Sequence, residues 1–457
     1  MTRNSRRLVS VLAAATIATT MAACGGDDDS GGGGDSSGGG GDTGTAADNE
    51  ATGPGMTEDT VTIGSHYPLT GRAAPGYSEI PTGVQAYFDY VNANGGVYDR
   101  QIEWVYRDDG YNPTNTSTVV RELVLDEEVF AIMGGLGTAT HNAVLDFLNT
   151  EEVPDLFVAS GSSLWDDPEN LPYTFGWQTD YESEGKIIGQ YIAENYPDAK
   201  VGLFLQDDDF GEDGERGVRQ YLDDDQIVEV QTYTSGNIDV GPQMAALQSS
   251  GADFVLGFNT PPYTALTQLA ARNLNYTPQW WYSNVGSAPD LVGSLLGAFS
   301  QGAVSGASAL AGIMTTAYIP TVDQVDNPWI QLFQRIWDES GQEGVLTNTR
   351  VYGMAQAYTM VQALQAAGRN PTGDDLVAAV EEAGSDWRGP SFTPFRFSTD
   401  RHAGISGMSV VQFNDQGVGE ELTPLLVTDT GDADIEEYDG EPIAPPESGI
   451  PDEEAVG

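Results

Sequence analysis

The chain has 457 residues, with 69 acidic against 18 basic side chains, a formal net charge of -51 and a single cysteine. Such a charge repels nucleic acid and anionic headgroups, so neither is expected as a partner. One cysteine excludes an internal disulfide, and the body must hold together on its hydrophobic core, which this length allows.

The acidity has two readings: adaptation to high salt, or a composition shared across a lineage with no role at any one site. At the N-terminus, Arg3, Arg6 and Arg7 precede an apolar run over residues 8–20, and Ala22 and Ala23 lead into Cys24. The run is too short for a permanent span, and the layout predicts a secretory signal over residues 1–23. Met21-Ala22-Ala23-Cys24 also resembles the lipobox of bacterial lipoproteins, with methionine where leucine is usual. The resemblance implies that Cys24 is lipidated and becomes the new N-terminus; the alternative is ordinary cleavage with Cys24 incidental. Residues 24–56 are predicted to be a flexible tether, because glycine, serine and aspartate bury too little apolar surface to offset ordering entropy. The protein is therefore expected outside the cytoplasm, anchored by lipid to the outer face of the membrane.

Beyond the tether, strand and helix patterns alternate. "TVTIGSHYP" predicts a strand, residues 79–96 a helix ending at glycine, and "QIEWVYRDD" a second strand. A helix over 112–128, the buried strand "VFAIMGG", the helix "HNAVLDFLNT" and the strand "PDLFVAS" follow. The pattern restarts after Tyr181 with four further helix–strand pairs, ending at "QWWYSN". Past residue 312 come three helices and two short strands, "FTPFRFS" and "GMSVVQFN". Residues 429–457 are acidic and proline-rich and are predicted to be disordered.

Alternation of this kind predicts an α/β fold of parallel sheets with helices on both faces, divided into two lobes because the span exceeds one core. In open parallel sheets, ligands bind beyond the C-terminal ends of strands. Two such loops, "MGGLGTATHN" (133–142) and "ASGSSLWDD" (159–167), carry Thr138, Thr140, Ser162 and Ser163. They suit a carboxylate held without a cation, or else they are tight turns with hydroxyl caps.

"YPLTG", "VNANGGVYDRQIEWVYRDD", "MGGLGTAT" and "LQDDDFGEDG" resemble the leucine/isoleucine/valine-binding proteins of bacterial ABC transporters, type I periplasmic binding proteins. The resemblance covers roughly residues 60–428. It implies two Rossmann-like lobes joined by three hinge crossovers near 175–179, 312–316 and 395–404. Lobe 1 would take residues 57–177 and 315–395, and lobe 2 residues 178–314 and 396–428. It also implies a small-molecule ligand, ABC permease subunits as partners and a monomeric state. Residue by residue, Thr138 falls where a hydroxyl holds the ligand carboxylate, with Ala139 beside it. Gly161, Ser162 and Ser163 match the loop that holds the ligand's polar end. Phe210 stands where amino-acid binders carry a tyrosine, Thr260 at another wall position, and Asn284 where branched-chain binders place a carboxylate for the ligand ammonium. Tyr77 and His66 are expected at the rim of lobe 1, although His66 also reads as a partly buried histidine hydrogen-bonded to backbone. Of Trp165, Tyr173, Trp177, Trp280, Trp281 and Tyr282, about two are expected in the pocket and the rest in the core.

An enzyme is the rival class, but no predicted strand leads into G-x-S-x-G, whose occurrence at 34–38 falls in the tether, and H-E-x-x-H and Walker A sequences are absent from the chain. Aspartate runs such as 207–209 and 223–225 lack the spacing of a calcium loop, and no cofactor or metal is expected. A ligand sensor of the same fold stays open as an alternative to a transporter component.

Overall fold

A computed structural model describes residues 48–451, which lie in one compact unit. The signal, Cys24, the tether up to residue 47 and residues 452–457 lie outside the described residues.

Lobe 1 begins with β1 (Thr60–Tyr67), α1 (Ala74–Tyr77), α2 (Ile80–Ala93), β2 (Gln101–Asp108) and α3 (Pro113–Leu125). It continues with β3 (Ala131–Met133), α4 (Thr138–Asn142), α5 (Leu145–Thr150), β4 (Asp155–Val158) and β5 (Thr174–Gly176). The strands form a parallel sheet in the order β2-β1-β3-β4-β5. Lobe 2 repeats the plan with α6 (Tyr181–Asn195), β6 (Val201–Gln206), α7 (Asp209–Val218), β7 (Ile227–Tyr233), α8 (Gly241–Ser250) and β8 (Phe254–Phe258). There follow α9 (Pro261–Leu274), β9 (Gln279–Tyr282), α10 (Pro289–Phe299) and β10 (Met314–Ala317). Helices α11 (Pro328–Glu339), α12 (Asn348–Ala366) and α13 (Gly373–Ala383) come next, and α12 packs on α2 of lobe 1. The chain then adds β11 (Gly407–Phe413), β12 (Gly419–Glu421), β13 (Leu426–Val427) and β14 (Glu436–Glu437) to the second sheet, antiparallel to one another. The parallel part of that sheet runs β7-β6-β8-β9-β10.

Local chemistry explains where the helices start. Asn112, Asp180, Asp208 and Asn327 each accept backbone N–H bonds at a helix entrance, and Thr372 with Asp375 forms a reciprocal capping box. The predicted helix over 141–150 is interrupted at Ala143–Val144 into α4 and α5.

The crossovers lie side by side. Ile405 N donates to Trp177 O at 2.9 Å and Phe392 N to Tyr318 O at 2.9 Å. Gly404 is needed there, since a Cβ would sit 2.1 Å from Trp177 O. Four expectations are corrected. Strand β10 belongs to the second sheet, so the middle crossover lies after Ala317 rather than at 312–316. "FTPFRFS" makes only isolated bridges, Phe395 to Ile405 and Ser398 to Arg401, because it is one of the crossing segments. The end of the expected tether is packed on lobe 1: Met56 is buried, Asn49 Nδ2 donates to Tyr98 O and Arg100 Nη2 to Glu50 O.

The tail is the fourth correction. Over 429–451 it is held by its main chain rather than disordered. Lys186 Nζ, on lobe 2, donates to the carbonyls of Asp429, Gly431 and Ala433 at 2.6, 2.9 and 2.6 Å. Further on, lobe 1 takes over: Trp329 Nε1 donates to Ile443 O, Tyr87 Oη to Gly449 O and Gln365 Nε2 to Pro451 O. The tail therefore straps the lobes together.

Candidate functional site

The order of both sheets reverses at one point, between β1 and β3 in lobe 1 and between β6 and β8 in lobe 2. Crevices open beyond the strand ends at such points. Here the two crevices face each other, and a cleft of about 1380 Å³, counted with its open mouth, lies between them. Tyr77, Thr138 and Ala159 come from loops after β1, β3 and β4. Phe210, Thr260, Asn284 and Tyr318 come from the segments that follow β6, β8, β9 and β10, Phe210 from the first turn of α7.

Thr138 opens α4, is buried, and shares a 2.8 Å hydrogen bond with Ser160 Oγ. The preceding Gly137 has φ 99°, and a Cβ there would lie 2.5 Å from Thr140 Oγ1. Phe210 packs on Tyr181 with ring centroids 4.3 Å apart. Asp208, which caps α7 just before Phe210, is pushed up to about 6 by burial.

Asn284 lines the cleft, and its backbone N donates to Glu184 Oε1 at 2.8 Å. Glu184 is fully buried and also accepts from Ser283 Oγ at 2.9 Å and Thr316 Oγ1 at 2.5 Å. Burial raises its carboxyl above the ordinary range despite those donors. Its charge is spent on the wall, not offered to the cleft.

Thr138, Phe210, Thr260, Asn284 and Tyr77 therefore meet at one cleft. Ala139 is half-buried and does not line it. Gly161, Ser162 and Ser163 line a separate small cavity of about 260 Å³ with Trp165 and Asp180. Ser163 instead joins the lobes: its N donates to Asp213 Oδ2 at 2.7 Å, and its Oγ accepts from Arg216 Nη2 at 3.0 Å. Arg216 is in turn gripped by Glu182 and Asp213, each at 2.6 Å.

His66 is the clearest displacement from expectation. It is fully buried and does not line the cleft. Its Nδ1 meets Asp109 Oδ2 at 2.8 Å, its Nε2 meets His141 Nδ1 at 3.0 Å, and His141 Nε2 meets Asp155 Oδ2 at 2.8 Å. Three hydrogen bonds in series thus link four buried titratable groups. Desolvation holds His66 below its ordinary value, outweighing Asp109. Gly135 must be glycine over this chain, since a Cβ would sit 2.4 Å from His141 Nδ1 and 2.6 Å from His66 Nε2.

None of the six singled-out aromatics lines the main cleft; Trp177 and Trp281 are core residues with no exposure. The cleft's rings are Tyr77, Tyr111, Tyr181, Phe210, Tyr318, Tyr352, Phe392 and Phe413. Tyr318 was findable, because "TTAYIP" is another strand end leading into a loop. Gln178, on the first crossover, and Tyr181, which opens α6, gave no signal of their own.

The sequence profile of the family described as Periplasmic binding protein matches residues 60–418. The chain belongs to that family. This periplasmic binding protein is 25% identical over 336 residues to "Leu/Ile/Val-binding protein homolog 2" of Brucella abortus, covering 71% of this chain and 83% of the relative. It is 23% identical over 204 residues to the leucine-, isoleucine-, valine-, threonine- and alanine-binding protein of Pseudomonas aeruginosa, covering 44% of this chain and 54% of that protein. A branched-chain amino acid ABC transporter structure from Thermus thermophilus with bound valine superposes with TM-score 0.71 at 21% identity, covering 81% of this chain and 97% of that one. A fatty acid ABC transporter substrate-binding protein from Thermomonospora curvata gives 0.69 at 22%, covering 82% and 94%. At these identities the two structures speak for the fold alone, the type I periplasmic binding protein fold. Among the described residues no helix is long and apolar enough to cross a membrane, and no group of three or more histidine, cysteine or acidic residues could hold a metal ion.

Proposed function

We propose that this periplasmic binding protein captures a small organic solute outside the cytoplasm for an ABC importer. The candidate solutes are a branched-chain amino acid, a carboxylate, an amide or an aromatic compound. The observation that carries the reading is a single cleft walled by the switch points of both lobes. A ligand touching both walls favours the closed arrangement by its differential affinity. The permease then recognises the closed form, and the lipid on Cys24 with its tether keeps the protein near the membrane. The named relatives support this reading, and a sensor that hands the closed form to a receptor shares every feature of it except the partner.

Two experiments test the two halves. Thr138→Trp should fill the lobe 1 wall and weaken solute binding about tenfold or more, with unfolding still cooperative. Calorimetric titration checks this, and unchanged affinity would remove the cleft from consideration. Cys24→Ser should move the full chain from the membrane fraction to the soluble extracytoplasmic fraction after lysis, and continued sedimentation with membranes would exclude the lipid anchor.

A further inference from the structure

Charge is what the cleft lacks. Among its lining residues there is no lysine, arginine or histidine, and its only acids, Asp323 and Glu421, are exposed at its outer margin. The amide of Asn284 stands on one inner wall, with the carboxylate of Glu184 turned away behind it onto Thr316, Ser283 and the backbone. On the opposite side, the guanidinium nearest the polar loop, that of Arg216, is committed to Glu182 and Asp213. Tyr77, Tyr318 and Tyr352 stay neutral, because burial lifts their phenols well above the ordinary value. The helix that begins at Thr138 has five residues, so its dipole is a poor substitute for a cation.

What the cleft does offer is neutral donors beside apolar rings. Gln178 is 5% exposed; its Oε1 accepts from Tyr352 Oη at 3.1 Å, while its Nε2 has no partner among the described residues. A buried amide N–H left unpaired costs free energy, and a ligand acceptor would remove that cost. Ile80, Leu136, Phe210, Val285 and Phe392 supply the apolar lining.

A ligand ammonium or carboxylate entering this space would lose its water without meeting an opposite charge, the most expensive form of burial. We infer that the cleft is built for an uncharged organic ligand, one bringing hydrogen-bond acceptors such as an amide carbonyl on an aromatic or branched apolar body. The inference rests on capture in this cleft and narrows the solute to one class; it sets aside both the amino acids for which relatives are named and simple carboxylates.

Two matched series read the charge directly against the full chain by calorimetry and thermal shift. One is phenylpropanamide, phenylpropanoate, phenylethylamine and phenylalanine. The other is methylpentanamide, methylpentanoate, methylbutylamine and leucine. In at least one series the amide should bind about tenfold or more tightly than each charged member. Equal or tighter binding of an amino acid, amine or carboxylate overturns the inference and leaves solute capture standing. Silence from all eight compounds overturns the inference and, with it, capture of solutes of this size.

Discussion

Replacing His141 with leucine should lower the free energy of unfolding by about 3–5 kcal/mol, the usual cost of breaking a buried charged network from one side. The substitution strips His66 Nε2 of its partner and Asp155 Oδ2 of an imidazole, at groups that are all fully buried. Asp155 is poorly placed to absorb the loss: its Oδ1 already lacks a partner, and only the 3.0 Å bond from Thr174 Oγ1 would remain on Oδ2. His141 lies on α4, three residues after Thr138, so the cleft wall should loosen as well. Urea unfolding of both proteins measures the difference, and a loss under about 1 kcal/mol would mean that the chain of four groups contributes no more than an ordinary hydrogen bond.

The same chain sets a pH dependence. His66 in the folded state titrates below its unfolded value of 6.5, because burial disfavours its charged form. The unfolded chain therefore binds the extra proton first. The stability contributed by neutral His66 is fully present above pH 6.5 and is lost as pH falls below it. Buried Glu184, whose carboxyl is raised, acts in the opposite direction, with stability lost as pH rises through the carboxyl range from 4.5. Urea midpoints stepped downward from pH 7 should fall first through the histidine range, and a flat profile there would count against a neutral buried His66.

Much of the fold was legible because strand–helix alternation and glycine-rich strand ends are local signals. Thr138, Phe210, Thr260 and Asn284 all sit directly after strands, and parallel topology brings such loops together whatever their sequence. His66 was misplaced for a reason also visible in the structure: the last five residues of β1 are all buried, so alternation along the strand marks no outer face. The aromatics failed differently. A tryptophan after a strand reads the same whether it fills a core, as Trp177 does, or a pocket, and only the packing of the second layer decides. Gly161 and Ser163 were placed by resemblance on a loop that, in this chain, is spent on the lobe-to-lobe contact with Asp213 and Arg216.

The tail carries the second large expectation. Composition said disorder, because its side chains are acidic and its prolines many. Lys186, Tyr87, Trp329 and Gln365 instead bind its carbonyls, which every residue possesses, so composition held no trace of the contact. The strap begins on lobe 2, where β14 pairs with β13, and ends against α2, α11 and α12 of lobe 1, beyond the last residue matched by the family profile. Ending the chain after Tyr438 should remove four lobe 1 hydrogen bonds, those from Trp329, Tyr87 and Gln365 worth about 1 kcal/mol each and an exposed one from Tyr90 to Ser448 O worth less, and lower unfolding free energy by about 3 kcal/mol. It should also free the hinge, because a connection spanning both lobes resists their separation whatever the ligand does. The truncated, ligand-free protein should then show a larger radius of gyration by small-angle scattering, with solute restoring much of the compaction. A truncated chain as compact and as stable as the full one would mean that the tail follows the lobes without restraining them.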